Sequence, residues 1–277
     1  MNLGIDIGGS TTKIVGTREK QIIQPLTVEA NDPVASASGA LGKFLNVNNL
    51  SFNDIDNVMV TGVGASFLGD KLLGLPIHQV DEFRAIGQGG LFLTGLKQAI
   101  IVSMGTGTAF VKAHGKCIKH LGGTGVGGGT IAGLSKNMAN LSNIDNIIEA
   151  ATYGKLENID LSVGDISSDN YIGKLPGNIT ASNFGKMNDQ ADKNDICKGI
   201  LNMVFQVVGM MGIFAARSEK DRDIVLSGKM IDIPQARQTF NVLAGLYDVV
   251  FHFPPHAAYC TAIGAGISGI AQSDESF

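Results

Sequence analysis

The chain opens with a strand that stops at a double glycine and turns back on itself. Leu3-Gly4-Ile5-Asp6-Ile7 is apolar apart from one aspartate, Gly8-Gly9 break it, and Ser10-Thr11-Thr12-Lys13-Ile14-Val15 resumes it. Paired glycines tolerate positive φ and carry no Cβ, so their backbone N–H groups can turn toward an anion. Ser10, Thr11 and Thr12 add hydroxyl donors, and Lys13 adds a full positive charge. Asp6 only accepts when ionised, so it can face phosphate only across a cation or a water. The pattern fits a β-hairpin wrapped round the phosphates of a nucleotide with magnesium alongside. A plain hairpin with a glycine turn accounts for the same letters.

The pattern then restarts. A strand at Asn57–Thr61 and a helix from Glu82 to about Leu96, capped by Asp81, close a first half of about 90 residues. Gln98–Met104 is again an apolar strand, ended by Gly105-Thr106-Gly107-Thr108 and answered by a returning strand at Ala109–Ala113. Gly127-Gly128-Gly129-Thr130 opens a helix to about Asn140, and the following segment reads as helical through Glu149. A long helix spans about Lys193 to Ser218. A strand at Ile224–Leu226, the turn Ser227-Gly228-Lys229, a strand near Val249–Phe251 and a last helix at about Ala257–Ala271 complete the pattern. Strands alternating with helices, in two halves that each begin with a phosphate-type hairpin, predict an α/β fold of two related domains, 1–92 and 93–277, around a cleft. A nucleotide held between domains needs donors from both sides, and the two glycine turns supply them.

Composition excludes several classes. A net charge of −4 argues against a nucleic-acid binder. No charged and then apolar leader starts the chain, and no stretch of about 18 uncharged apolar residues looks membrane-spanning. Ile200–Ala216 comes nearest, but Asn202, Gln206 and two glycines interrupt it, so it reads as a core helix. Cys117, Cys197 and Cys260 lie far apart, as buried small residues in a reducing cytoplasm would. His114 and His120 belong to no cluster with metal-ligand spacing and read as surface residues.

Other motifs are double-edged. Gly123, Gly125 and Gly128 satisfy GxGxxG, but a helical continuation instead of a second strand disfavours a nicotinamide site. No GxxxxGK[ST] sequence is present, which disfavours a P-loop kinase. Glu82 at a helix start is either a residue that favours the helix dipole or a general base for a substrate hydroxyl. Ser227-Gly228-Lys229 and Ala262-Ile263-Gly264-Ala265-Gly266 either admit a flat purine or let helices pack closely.

With these residues in hand, the chain resembles the acetate and sugar kinase, chaperone and actin superfamily, and within it the type II pantothenate kinases. Asp6–Lys13 matches the first phosphate motif, Met104–Thr108 the second, and Gly122–Thr130 the glycine tract that contacts nucleotide. Pro176–Gly185 is the most specific match, and Val80-Asp81-Glu82-Phe83 matches the segment holding the catalytic base. The resemblance implies an actin-like ATPase fold of two ribonuclease H-like domains. It implies ATP and Mg2+ as cofactors and pantothenate as the small-molecule substrate, in a cytoplasmic homodimer with Ala181–Gly185 near the partner's site. Glu82 would be the base, with Lys13 and His120 also catalytic. Nucleotide would lie on Asp6, Gly8, Gly9, Ser10, Thr11, Thr12, Lys13, Thr106, Gly107, Gly128, Gly129, Thr130, Ile131, Gly228 and Lys229. Asp6 would hold the metal through water. Glu82, Thr106, Thr108, His120 and Ala181 would meet the substrate. The family usually has an arginine just before the glycine tract, where this chain reads Lys119-His120-Leu121. Neither Lys119 nor His120 reproduces an arginine's fork, so a related small hydroxyl substrate stays open. So do two other readings: an ATPase that activates 2-hydroxyacyl-CoA dehydratases, and a non-catalytic nucleotide-binding module.

Overall fold

A computed structural model describes residues 1–18, 21–29, 31–168, 171–173 and 175–273. The last four residues of the expected second domain therefore lie outside the described residues. The first half contains β1 (Asn2–Ile7), β2 (Thr12–Arg18), β3 (Gln21–Val28), α1 (Pro33–Val47), β4 (Asn57–Thr61), β5 (Lys71–Leu72), β6 (Leu75–Gln79) and α2 (Glu82–Thr94). The second contains β7 (Gln98–Met104), β8 (Thr108–His114), β9 (Cys117–Thr124), α3 (Gly128–Ala139) and α4 (Ile144–Tyr153). Next come β10 (Leu161–Ser162), α5 (Val163–Ile166), β11 (Tyr171–Ile172), β12 (Leu175–Pro176) and β13 (Thr180–Ser182). The half ends with α6 (Lys193–Ser218), β14 (Asp223–Ser227), α7 (Pro234–Leu246), β15 (Val250–His252) and α8 (Cys260–Ser273).

The two large sheets repeat one topology. In the first the order is β3-β2-β1-β4-β6-β5, and in the second β15-β14-β7-β8-β9. Each has an antiparallel three-strand meander, then a fourth strand parallel to the first, then a further parallel strand. The repeat is the one the restarting hairpin predicts, in the ribonuclease H-like arrangement that the resemblance implies.

Strand alternation assigns the faces. Leu3, Ile5 and Ile7 are fully buried on one face of β1, in a core with Ile14, Val58, Val60 and the α1 residues Leu41 and Phe44. Gly4 and Asp6 occupy the other face, which α8 covers. In the second sheet Ile100, Val102 and Met104 join the α6 residues Ile200, Val204 and Phe205. The opposite face, with Ala99, Ile101, Val111 and Val225, packs against Ile86 and Leu91 of α2. By length and composition α6 could cross a membrane, but its apolar residues form the second core.

Thus α2 follows the first sheet yet lies on the second, and α8 follows the second yet lies on the first. The helices meet through glycine. A Cβ on Gly89 would sit 2.0 Å from the carbonyl oxygen of Cys260, and one on Gly264 1.8 Å from that of Ala85. The small-residue stretch of α8 therefore serves close backbone packing, as one of its two sequence readings had it.

The structure differs from expectation in four places. Cys117–Thr124 is the edge strand β9, and its register against β8 shifts between Phe110 and Val111. Its glycines hide the alternation that marks a strand. Pro234–Leu246 forms α7, preceded by Ile233, which makes no side-chain capping bond. Helix α3 stops at Asn140, in left-handed conformation, before α4 begins, so the run to Glu149 is not continuous. Cys197 and Cys260 are buried but Cys117 is exposed on β9, since an edge strand leaves one side to solvent.

Candidate active site

The ends of β1, β2, β4 and β6 form one wall of the site. Asp6 and Lys13 are direct partners across β1 and β2, and Thr61 is the partner of Asp6 across β4, so the three share a rung. Gly8 N–H donates to the carbonyl of Thr11 at 3.0 Å, closing the turn, while Gly9 and Ser10 are exposed. After β4 the chain turns at Gly62 (φ 88°), where a Cβ would lie 2.6 Å from both Asp6 Oδ1 and the Ile7 carbonyl oxygen. Only glycine fits there, in a left-handed conformation. Sequence reasoning missed this turn, although Thr61-Gly62-Val63-Gly64 directly follows a strand.

Glu82 begins α2, whose N-cap Asp81 accepts from Arg84 N at 2.8 Å. Burial pushes the Glu82 carboxyl above its ordinary range, and repulsion from Asp6 and then Asp81 pushes it the same way. Burial also raises Asp6, partly offset by Lys13. Among the described residues, none donates a hydrogen bond to Asp6 or Glu82, and Lys13 forms no ion pair. All three are half-buried, and charged groups withdrawn from water are ordinarily paired. Three together without partners mark a place where a ligand completes the balance.

The second wall repeats the backbone device without the charges. The β7–β8 turn places Gly105 N–H on the Gly107 carbonyl at 2.8 Å. Gly128 N–H and Gly129 N–H, at the start of α3, donate to the carbonyls of Gly105 and Thr106, both at 2.9 Å. Gly228 (φ 93°) follows β14 as Gly62 follows β4, and a Cβ there would be 2.2 Å from the Met104 carbonyl oxygen. The turns at Gly105–Gly107, Gly127–Thr130 and Gly228 thus meet at one point, with Lys229 exposed beside it.

Several expected hydroxyls have internal partners. Thr12 is buried and accepts from Ser36 at 2.6 Å, and Thr108 donates to the Val126 carbonyl at 2.8 Å. Thr130 Oγ1 donates to the Gly125 carbonyl and accepts from Gly127 N–H. Ile131 is fully buried in the second core. Thr11 is half-buried and Thr106 exposed. His120, on β9, stacks on Phe83 next to Glu82, with ring centroids 3.7 Å apart. Ala181 is exposed on β13, which pairs with β10. Buried Asp160 holds that segment, accepting from Phe184 N at 2.9 Å and from Thr180 and Asn202. Within one chain Ala181 therefore belongs to a different group of elements from Glu82.

Comparisons with known proteins identify the family and the fold. Residues 97–268 match the Fumble family. The chain belongs to that family. A type II pantothenate kinase of Bacillus cereus (strain G9842) is 30% identical over 240 residues, covering 83% of this chain and 84% of that protein. Another, from Staphylococcus aureus (strain USA300), is 28% identical over 279 residues, covering 96% and 98%. Among solved structures, the activator of the 2-hydroxyisocaproyl-CoA dehydratase from Clostridium difficile, with bound ADPNP, gives a TM-score of 0.72 at 17% identity, covering 99% and 96%. A ROK family glucokinase from Streptomyces griseus with glucose and AMPPNP gives 0.59 at 13%, covering 96% and 98%. These structures establish the actin-like ATPase fold. The Fumble match contains the second wall, whereas Asp6, Lys13 and Glu82 precede it.

Proposed function

We propose that this chain transfers the γ-phosphoryl group of ATP to the primary hydroxyl of pantothenate, giving 4'-phosphopantothenate and ADP, the first step of coenzyme A synthesis. The observation that carries the reading is the half-buried trio Asp6, Lys13 and Glu82, without side-chain hydrogen bonds or ion pairs among the described residues, beside two glycine turns in a chain whose relatives are type II pantothenate kinases. Glu82 accepts the hydroxyl proton as the hydroxyl oxygen bonds to the γ-phosphorus. The bond from that phosphorus to the β–γ bridging oxygen breaks, and ADP leaves with the electron pair. A raised base suits this task, because it holds the proton more firmly than an ordinary carboxylate does. Lys13 and the N–H groups of Gly9–Thr11 face the charge that spreads over the transferring group, and the domains 1–92 and 93–277 supply the two walls.

The residues also suit magnesium. Thr61 Oγ1 is buried without a partner on the same rung as the unbonded Asp6 carboxylate, a polar pair that fits a hydrated cation. Asp6 would hold the ion through water. When bound, magnesium neutralises charge on the β- and γ-phosphates.

The same reading makes the chain a cytoplasmic homodimer in which Ala181–Gly185 of each copy approaches the other's acceptor site. The test is purified protein with ATP, magnesium and a panel of pantothenate, pantetheine and simple sugars, with light scattering for the oligomer. Phosphorylation of pantothenate, lost on chelation, is the expected result. ATP hydrolysis with no transfer to any acceptor would overturn it and favour the dehydratase-activator reading. For that reading the three dispersed free cysteines give weak support.

A further inference from the structure

The contact between His120 and Phe83 joins the two halves at the residue next to Glu82. The rings lie nearly parallel, 11° apart with centroids at 3.7 Å. This contact is the outermost of three along one line. Further along α2, a Cβ on Gly87 would meet Ile118 Cδ1 at 2.6 Å, so Ile118 lies flat on the helix there. Then Gln88 Nε2 donates to the Gly115 carbonyl at 2.8 Å. Phe83 and Gly87 are one helical turn apart, and His120 and Ile118 are two apart on a strand, so each pair shares a face. The β8–β9 hairpin therefore clamps α2 from its middle to its first turn. The inner contacts are packed or hydrogen-bonded, whereas His120 itself is exposed.

From this geometry we infer that His120 is a positioning residue. Its ring, stacked on Phe83, holds the first turn of α2 against the second half, and so fixes Glu82 and the enclosure around it. A ring stacked on an aromatic contributes through its flat face, without needing its nitrogens. Releasing it lets the first turn move, and small misplacements of a catalytic group lower turnover steeply. The charged groups that act on Glu82 are Asp6 from the first sheet and Asp81 beside it, while Arg84 of α2 and the hairpin residues Lys116 and His120 line the pocket next to Phe83. Loosening the first turn admits water, so the Glu82 carboxyl falls back toward its ordinary range and activity on the acid side persists to lower pH.

The inference rests on Glu82 being the base of the proposed kinase, so its test has one arm that needs no turnover. In the ATP, magnesium and pantothenate assay, His120→Ala and Phe83→Ala should each lower kcat about tenfold and shift the acid limb of kcat to lower pH, with the KM for ATP held. The double variant should be no worse than either single one. His120→Phe should recover most of the kcat lost in His120→Ala. In the protein without substrates, hydrogen exchange at the amides of Arg84–Ile86 should quicken in His120→Ala and return toward the parent rate in His120→Phe. A His120→Phe variant as impaired as His120→Ala would overturn the inference, because the imidazole nitrogens would then be what matters. Additive losses in the double variant, or unchanged exchange in His120→Ala, would overturn it as well. Should the parent protein fail to phosphorylate pantothenate, the proposed function falls and the exchange measurement alone decides the stack.

Discussion

The two halves use one backbone device and fill it differently. In the first, Asp6 faces Lys13 on one side and Thr61 on the other. In the second, the equivalent Ser103 faces Ala109 and Ser227. Gly62 and Gly228 follow corresponding strands with nearly identical dihedrals, φ 88° and ψ 166° against φ 93° and ψ 166°. The Gly8–Thr11 turn leaves Gly9 and Ser10 exposed, whereas the carbonyls of Gly105 and Thr106 are bound by the first amides of α3. Between third and fourth strands the first half inserts one helix, α1, and the second inserts α3 to α6. A duplicated scaffold thus separates chemistry from holding. The buried rung of one wall carries the charge, and the other wall meets the site with bonded backbone turns and the exposed Lys229 beside them.

The largest effect that can break this comparison is at Glu82. Glu82→Gln should keep ATP binding and lower kcat by about 10²-fold or more. Calorimetric ATP titration beside the kinase assay checks it, and near-normal turnover would remove Glu82 as base. Lys13→Ala should come next, with turnover reduced and triphosphate bound more weakly. An unchanged rate would place the lysine outside the site.

The paired glycines sharpen the comparison further. Gly62→Ala and Gly228→Ala each force a side chain into left-handed backbone against a carbonyl, at a cost of about 1–2 kcal/mol for the conformation alone. Both should lower Tm, and Gly62→Ala should also lose turnover per bound ATP, because its methyl group strikes Asp6. Equal kinetic losses in the two would mean that the charged wall is not special.

The smallest expected effect is thermal. Asp6 titrates above its unfolded value, so its favourable contribution is complete at low pH and is lost as pH rises through the folded pKa. Asp6→Asn should therefore melt at least about 2 °C higher at neutral pH, with the gap closing on acidification, while magnesium-dependent turnover falls. A lower melting point at neutral pH would show that Asp6 is satisfied within the fold.

What could be read from the sequence was local. The hairpin, the Asp81 cap and α6 were legible because glycine pairs, capping residues and apolar periodicity act over a few residues. Strand β9 was not, because Lys119-His120-Leu121-Gly122-Gly123 on a sheet edge lacks alternation. Gly62 escaped notice for want of a charged neighbour, although its φ and its closeness to Asp6 make it as constrained as Gly228. The hydroxyls show the reverse failure. Thr12 and Thr108 look like ligand donors in sequence, and only the fold reveals that Ser36 and the Val126 carbonyl engage them. The Phe83–His120 stack joins separate halves, and no spacing rule relates its two members.

The exchange of helices between halves also bears on how the chain is made. The inner face of the first sheet is covered by α8, and a Cβ on Gly4 would stand 1.9 Å from the carbonyl oxygen of Ala262. On a ribosome the opening strands emerge first, yet their cover emerges after every strand of both sheets. Until then Val15 and Met59 lack much of their roof, since Ala262 and Ile263 beside Val15 and Ala265 beside Met59 belong to α8, and α2 supplies only Ala85 and the edge residues Phe92 and Leu93. The first half therefore waits, with one face open, for the final helix of the fold, a window in which a nascent chain invites a chaperone.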